Sequence, residues 1–206
     1  MYDMRFLRSG LFLTMLLAVP SYAQKEAALS IGSFSGPSRT TTSRAILSLS
    51  NAAAIQGSYG KLVRTYKYAE LYGEINGMFA PKHSVTSTAK AATNDISALY
   101  ITPGVRMKFY PKEKLSPWVV GGLGYALYRA SSTTIAGGVN PSSGSSSTGA
   151  FEFGGGLDFR VTPKMSLRFE VRDFFTGSPR YNYPIFGKGQ YNFLAGGGVI
   201  FHLGAK

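Results

Sequence analysis

Residue types able to do chemistry are scarce in this chain of 206 residues, which has His83 and His202 as its two histidines and no cysteine. A serine nucleophile needs a histidine base held against it and a carboxylate to orient that base. His83 stands beside Ser84 in the loop-like stretch PKHSVTST, and His202 ends the last apolar segment with no serine two residues away. Neither position supplies the constellation, so no catalytic residue is assigned and the chain is read as a non-enzyme. Two histidines without cysteine give no zinc-type ligand set, and the scattered carboxylates lack the spacing of a calcium loop, so neither metal nor cofactor is expected. The glycine triplets at 154–156 and 196–198, and GGLG at 121–124, lie inside strand-like segments. A phosphate-binding loop belongs between a strand and a helix, so these glycines read as close packing and bending of strands.

What remains is a set of charges at even spacing. Residues 149–177, GAFEFGGGLDFRVTPKMSLRFEVRDFFTG, place Glu152, Asp158, Arg160, Arg168, Glu170 and Arg172 singly among aromatic and aliphatic residues. Successive side chains leave a strand on opposite sides, so one face is Phe151, Phe153, Gly155, Leu157, Phe159 and Val161, then Met165, Leu167, Phe169 and Val171, and the charges fall on the other. A three-residue turn at Thr162, Pro163 and Lys164 makes Val161 and Met165 the closing pair. Counting back from it sets Asp158 opposite Arg168, Glu170 opposite Gly156 and Arg172 opposite Gly154.

The elements that must position these charges recur along the chain. Segments of period two rich in Tyr, Phe, Val and Ile occur near 27–34, 53–63, 68–79, 95–110, 117–129, 149–161, 165–175 and 190–203, which predicts eight strands. Short connections (RTYK, YPKEKLSP, TPK) alternate with long ones (GPSRTTTSRAILSLSNAA, PKHSVTSTAKAATN, ASSTTIAGGVNPSSGSSSTG, TGSPRYNYPIFGKG). Ahead of them, residues 1–23 have a basic start at Arg5 and Arg8, an apolar run from Leu11 to Val19, and Ser21 and Ala23 in a small-x-small pattern. That is the form of a cleaved secretory signal peptide, and the apolar run is far shorter than the roughly twenty residues of a membrane helix. Residues 24–206 are then one exported domain. The formal charge of +12 might suggest nucleic acid, but export excludes it as a partner.

Alternation fits a soluble barrel as well as a membrane one, and volume separates them. The interior of an eight-stranded barrel is just wide enough for side chains to fill. The apolar face, which also includes Leu71, Ile75, Leu99, Ile101, Val105, Met107, Phe109, Val119, Leu123, Tyr125, Leu127, Tyr191, Phe193, Val199, Phe201 and Leu203, is too large and too aromatic to fit there. The charges therefore point inward: Glu70, Glu74, Arg106, Lys108, Glu152, Asp158, Arg160, Arg168, Glu170 and Arg172, with His202 and the small Gly104, Gly154, Gly156, Gly196 and Gly198 beside them. Mixed signs predict a filled, ion-paired lumen. The fold class is all-β, an eight-stranded antiparallel up-and-down transmembrane β-barrel.

The segments SPWVVGGLGYALYR, FEFGGGLDFRVTPKMSLRFEVRDF and QYNFLAGGGVIFHL resemble the eight-stranded OmpA-type and opacity-type outer-membrane barrel families over about residues 24 to 206. The resemblance implies a location in the bacterial outer membrane and a closing strand read by the barrel assembly machinery, with Gly198, Phe201 and Leu203 at the glycine and hydrophobic positions of that signal. Gly196 stands where a polar residue is usual, and the chain continues through Gly204, Ala205 and Lys206. No peptidoglycan-binding domain follows the barrel. Small outer-membrane barrels include lipid A deacylases and palmitoyltransferases, but the surroundings of His83 do not match the deacylase spacing. The expected function is a non-enzymatic, monomeric barrel for envelope integrity or surface contact through its loops. A narrow porin and a soluble secreted ligand-binding barrel are the alternatives. Arg39, Arg44, Lys82, Lys90, Arg129, Arg180 and Lys188 lie in or near the long loops, within reach of lipopolysaccharide phosphates. Tyr181, Tyr183 and Phe186 read as loop packing or headgroup girdle.

Overall fold

The computed structural model describes residues 24–42, 44–184 and 189–204. The expected leader at 1–23, Phe186 and Lys188 in the last long loop, and Ala205 and Lys206 lie outside the described residues. Ten strands follow one another: β1 (Lys25–Ser35), β2 (Arg39–Thr40), β3 (Ile46–Leu49), β4 (Ala52–Thr65), β5 (Ala69–Ser87), β6 (Asp95–Phe109), β7 (Leu115–Ala130), β8 (Gly144–Thr162), β9 (Met165–Gly177) and β10 (Gly189–Leu203). Eight of them, β1 and β4 to β10, pair antiparallel with their neighbours in the ring. The ring is closed where β1 meets β10, from Lys25 opposite Leu203 to Ser35 opposite Phe193. Closure matters because hydrocarbon offers no partner for an exposed strand edge.

Two strands run further than their composition suggests. β5 continues through PKHSVTS to Ser87 and β8 begins at Gly144, so both expected loops are partly strand. Serine, threonine and glycine have little strand preference of their own, and the ladder imposes it: Ser145 and Ser147 pair with Arg129 and Leu127. Pro81 and Lys82 form an irregularity in β5 between the pairs Ala80–Ala98 and His83–Ile96, where proline has no N–H to give. The short β2 and β3 were hidden inside the first long loop. β3 pairs with the upper end of β5 and extends the wall above the ring.

The faces are set by alternation. Tyr125 is 73% exposed and Phe169 59%, while Arg172, Arg168 and Arg106 are each 1% exposed. Apolar groups thus cover the outside and the guanidinium groups fill the inside. Within the apolar band, Asp173 breaks the pattern. It faces outward, opposite Phe153 and Phe193, half-buried and with its Oδ1 unpartnered. Phe169 lies in the middle of this outer face, so Phe169→Arg should cost about 2–4 kcal/mol of folding free energy in bilayers. Reversible urea unfolding from lipid vesicles measures it, and an unchanged midpoint would mean that the faces are reversed.

Candidate functional site: a charged lumen with an aromatic cap

In the half of the barrel near the short turns, five carboxylates and four cations from five strands share one buried space. The carboxylates are Glu26, Glu74, Glu152, Asp158 and Glu170, and the cations are Arg106, Lys108, Arg168 and Arg172. Arg106 Nε lies 2.6 Å from Glu74 and its Nη2 2.5 Å from Glu26. Lys108 bridges Glu26 at 3.1 Å and Asp158 at 3.2 Å. Arg168 donates twice to Asp158, at 2.9 and 3.1 Å. Arg172 donates to Glu170 at 2.9 Å, to Glu74 at 3.1 Å and to Glu152. Charges this deep are tolerable because each faces an opposite charge, although Arg106 Nη1 and Glu170 Oε1 have no hydrogen-bond partner.

Trp118 stands at the centre of this lattice. Its Nε1 donates to Asp158 at 2.9 Å, and Arg168 and Arg172 lie over its ring at 4.6 and 5.2 Å from the centroid. Close approach explains two of the glycines. A Cβ at Gly156 would run into the Phe169 carbonyl oxygen and meet Trp118 Cζ2 at 2.7 Å, and one at Gly154 would meet the Val171 carbonyl oxygen at 2.5 Å and Arg172 Cγ at 2.9 Å. These positions are bare because β9 approaches closely there, with Trp118 and the Arg172 side chain packed on them.

The sequence-derived lumen set divides in two. Glu74, Arg106, Lys108, Glu152, Asp158, Arg168, Glu170 and Arg172 come together in the lattice, with Asp158 opposite Arg168, Gly156 opposite Glu170 and Gly154 opposite Arg172. Glu70 and Arg160 do not join it. Glu70 accepts a hydrogen bond from Tyr72 at 2.7 Å, and Arg160 donates to the carbonyls of Pro111 and Lys112. Both lie at strand ends beside short turns, where the Tyr72 hydroxyl serves Glu70 and turn carbonyls serve Arg160. Met165 pairs with Thr162 rather than Val161, because a bulge absorbs Val161 at the turn.

Above the lattice the lumen is filled but not ionic, so the expected ion pairs occupy only the half near the short turns. Phe34, Met78, Tyr100, Tyr128, Phe174 and Leu194 fill it, with Tyr100 and Phe174 rings 4.8 Å apart. Their polar atoms are satisfied in a chain. Tyr100 and Tyr128 hydroxyls are 2.8 Å apart, Tyr128 meets Thr176 at 2.6 Å, and Gln190 donates to Asn192 at 2.8 Å. Tyr181, read from sequence as loop packing or headgroup girdle, is packed: it is 2% exposed and donates to Gln190 from above, so the loop after β9 covers this end.

The structure also gives a juxtaposition that spacing along the chain could not show. Ser166 Oγ lies 2.8 Å from His202 Nε2, and His202 Nδ1 lies 3.1 Å from Glu26 Oε1, although not aligned for a hydrogen bond. The three residues come from β9, β10 and β1, and Ser166 is 2% exposed. His83 makes no such group. It is buried edge-on to Phe34 with Nδ1 3.0 Å from the Ser50 carbonyl, while Ser84, on the opposite face of β5, donates to Asp95. Among the described residues no cluster of three or more metal-ligating side chains occurs.

Residues 9–199 match the family described as outer membrane protein beta-barrel domain. The chain belongs to that family. It is accordingly a protein of the bacterial outer membrane, with its short turns on the periplasmic side and its long loops outside. Among solved structures the barrel is similar to Neisserial surface protein A, at a TM-score of 0.55 and 13% identity over 89% of this chain and 98% of that one. It is similar also to outer membrane protein OprG from Pseudomonas aeruginosa, at a TM-score of 0.50 and 10% identity over 88% and 96% of the two chains. Identities this low show the shared fold alone. No curated protein matches the sequence.

Three residues of the lattice were not assigned from sequence: Glu26, Trp118 and Tyr72, over whose ring Arg106 lies at 4.5 Å from the centroid. Glu26 stood one residue outside the expected first strand, although its parity with Ser30 and Phe34 marks the inward face. Trp118 lies where small residues blur the alternation. Arg172 touches three carboxylates, so Arg172→Leu leaves Glu74 without one of its two cations and Glu152 and Glu170 without theirs. The barrel should lose about 3–5 kcal/mol of folding free energy in vesicles. A loss below about 1 kcal/mol would mean that the lattice carries no weight in folding.

Proposed function

We propose that this barrel is a non-conducting, non-enzymatic element of the outer membrane that serves envelope integrity and surface contact through its extracellular loops. The observation that carries this reading is the two-layered filling of the lumen, an ionic lattice below and an aromatic core above, closed over by Tyr181. A narrow porin needs a continuous water path past Arg172, Trp118 and Phe174, all of which are fully buried. In planar bilayers the protein is expected to give at most rare, small openings. Steady ohmic conductance per inserted barrel would sink the proposal.

The extracellular face supports a contact role, since Arg44, Lys90 and Arg180 are exposed around the mouth. In the same reading the closing strand carries the assembly signal. Phe201 and Leu203 face outward near the periplasmic end of β10, where another barrel protein could read them, and Gly198 packs inward against β1.

The Ser166, His202 and Glu26 arrangement favours one second reading, a hydrolase with Ser166 as nucleophile. Burial weighs against it. Ser166 faces the filled lumen, and Glu26 is already bound to Arg106 and Lys108. A fluorophosphonate probe should therefore leave the folded protein unlabelled, whereas stoichiometric labelling that disappears in Ser166→Ala would make the enzyme reading the better one.

A further inference from the structure

Two grooves mark the outer wall of the barrel toward its extracellular end. The upper one, of about 510 Å³, has Lys82, Asp95, Ser97, Arg129, Ser132 and Ser143 in its lining. Ser97 lies opposite Arg129 on β6 and β7, and Arg129 lies opposite Ser145 on β8, so a guanidinium stands between two outward hydroxyls. Asp95, the groove's carboxylate, is occupied. It pairs with Lys82 at 3.5 Å and accepts from the Ser84 hydroxyl and the Asn94 amide. Among the described residues no carboxylate pairs with Arg129, which is exposed. The notch is thus rich in donors, with one free cation and one partly neutralised cation.

Its height is fixed by what lies beneath. The outward residues below Arg129 on β7 are Leu127, Tyr125 and Leu123, all exposed. The notch therefore sits on the upper border of the apolar band, at the level of the outer-leaflet headgroups. It opens sideways toward those headgroups as well as upward to solvent.

The lower groove, of about 450 Å³, is apolar and lined by Leu123, Gly149, Phe151, Phe175 and Gly189. Gly149 gives it depth. A Cβ built there meets nothing within 4 Å, so the ring of its cross-strand neighbour Tyr125 does not lie over it, and its φ is not in the left-handed region. Neither packing nor backbone conformation asks for glycine at this point of a lipid-facing wall. From Arg129 down to Leu123 is six residues of β7, about 20 Å along the strand and about 15 Å along the membrane normal after tilt. That depth lies within the hydrocarbon.

A cationic, hydroxyl-lined notch above a bare apolar groove repeats the order of groups in a phosphorylated, acylated lipid. We propose that the outer wall from β5 to β9 seats one phosphorylated glycolipid of the outer leaflet, with a phosphate on Arg129 and Lys82 and an acyl chain over Gly149. The bidentate geometry of a guanidinium suits phosphate oxygens, and Lys82 adds a point charge. The seat lies outside the lumen, so it stands or falls independently of whether the barrel conducts.

The test uses the folded protein in mild detergent, titrated with bis-phosphorylated lipid A and followed by native mass spectrometry. One lipid per barrel is expected, with affinity falling at least about tenfold in Lys82→Ala with Arg129→Ala, as for loss of a charge-assisted phosphate contact. Gly149→Leu, whose added side chain enters open space, should weaken binding by a smaller factor while leaving the barrel folded. Heat-modified migration on gels checks that each variant is folded, and Arg129→Gln alone replaces the double variant if that one is not. Lipid A stripped of its phosphates should bind the native barrel no better than intact lipid A binds the double variant. Equal lipid A binding by the native and double-variant barrels overturns the proposal. So does equally tight binding of phosphate-free lipid A, or of phosphatidylglycerol, which would remove the glycolipid. Displacement of lipid A by inorganic phosphate together with indifference to Gly149→Leu would reassign the notch to a free anion and overturn the lipid seat.

Discussion

Glu74 is the point on which the interior depends. It rises from β5 and is held by Arg106 of the neighbouring β6 and by Arg172 of β9, on the far side of the ring. A carboxylate moved from water into a packed interior loses solvation that only well-placed cations can replace. Two guanidinium groups from different strands do so here, and each of them must then be matched by further carboxylates. The lattice grows outward from that requirement to Glu26, Glu152, Asp158 and Glu170.

Such a lattice is a weak source of net stability, because desolvation offsets much of its attraction. Its stronger effect is on register. A strand slipped by one residue would turn Arg172 or Arg106 into hydrocarbon and bring phenylalanine into the lumen, so the wrong pairing costs on both faces at once. The aromatic layer above it has the opposite character. Phe34, Tyr100 and Phe174 fill space by shape, and their few hydroxyls are satisfied among themselves and by Thr176, Asn192 and Gln190. The two layers together fill the lumen and leave the outside wall, the loops and the short turns as the exposed surfaces.

The outside is not uniform either. Most outward positions on β5 to β9 are aromatic or aliphatic, as a hydrocarbon solvent requires. Asp173, Arg129, Lys82 and the bare Gly149 are departures from that rule, and three of them fall in the two grooves near the outer leaflet. Departures from a strong solvent rule are where specific contact is to be sought.

Period-two alternation was legible along most of the chain because a strand in a barrel has two solvents, lipid and protein, and each selects its own residue types. Strand number, the all-β class, the inward direction of Glu74, Arg106, Asp158, Arg168 and Arg172, and the pairing of Asp158 with Arg168 all follow from parity and one turn. Parity was silent where composition is weak. Ser145 and Ser147 are strand because β7 offers them partners, and no propensity of their own would place them there. It was silent, too, about distance across the ring. That Glu26 meets Arg106, that Ser166 meets His202, and that Trp118 lies between Arg168 and Arg172 depend on closure, which brings side chains from non-neighbouring strands into one space. Where alternation is clear, the sequence determined which side chains share a face, since that is a local property of the pleat. Only the closed barrel decided which inward side chains touch, since that depends on curvature and stagger shared by all eight strands.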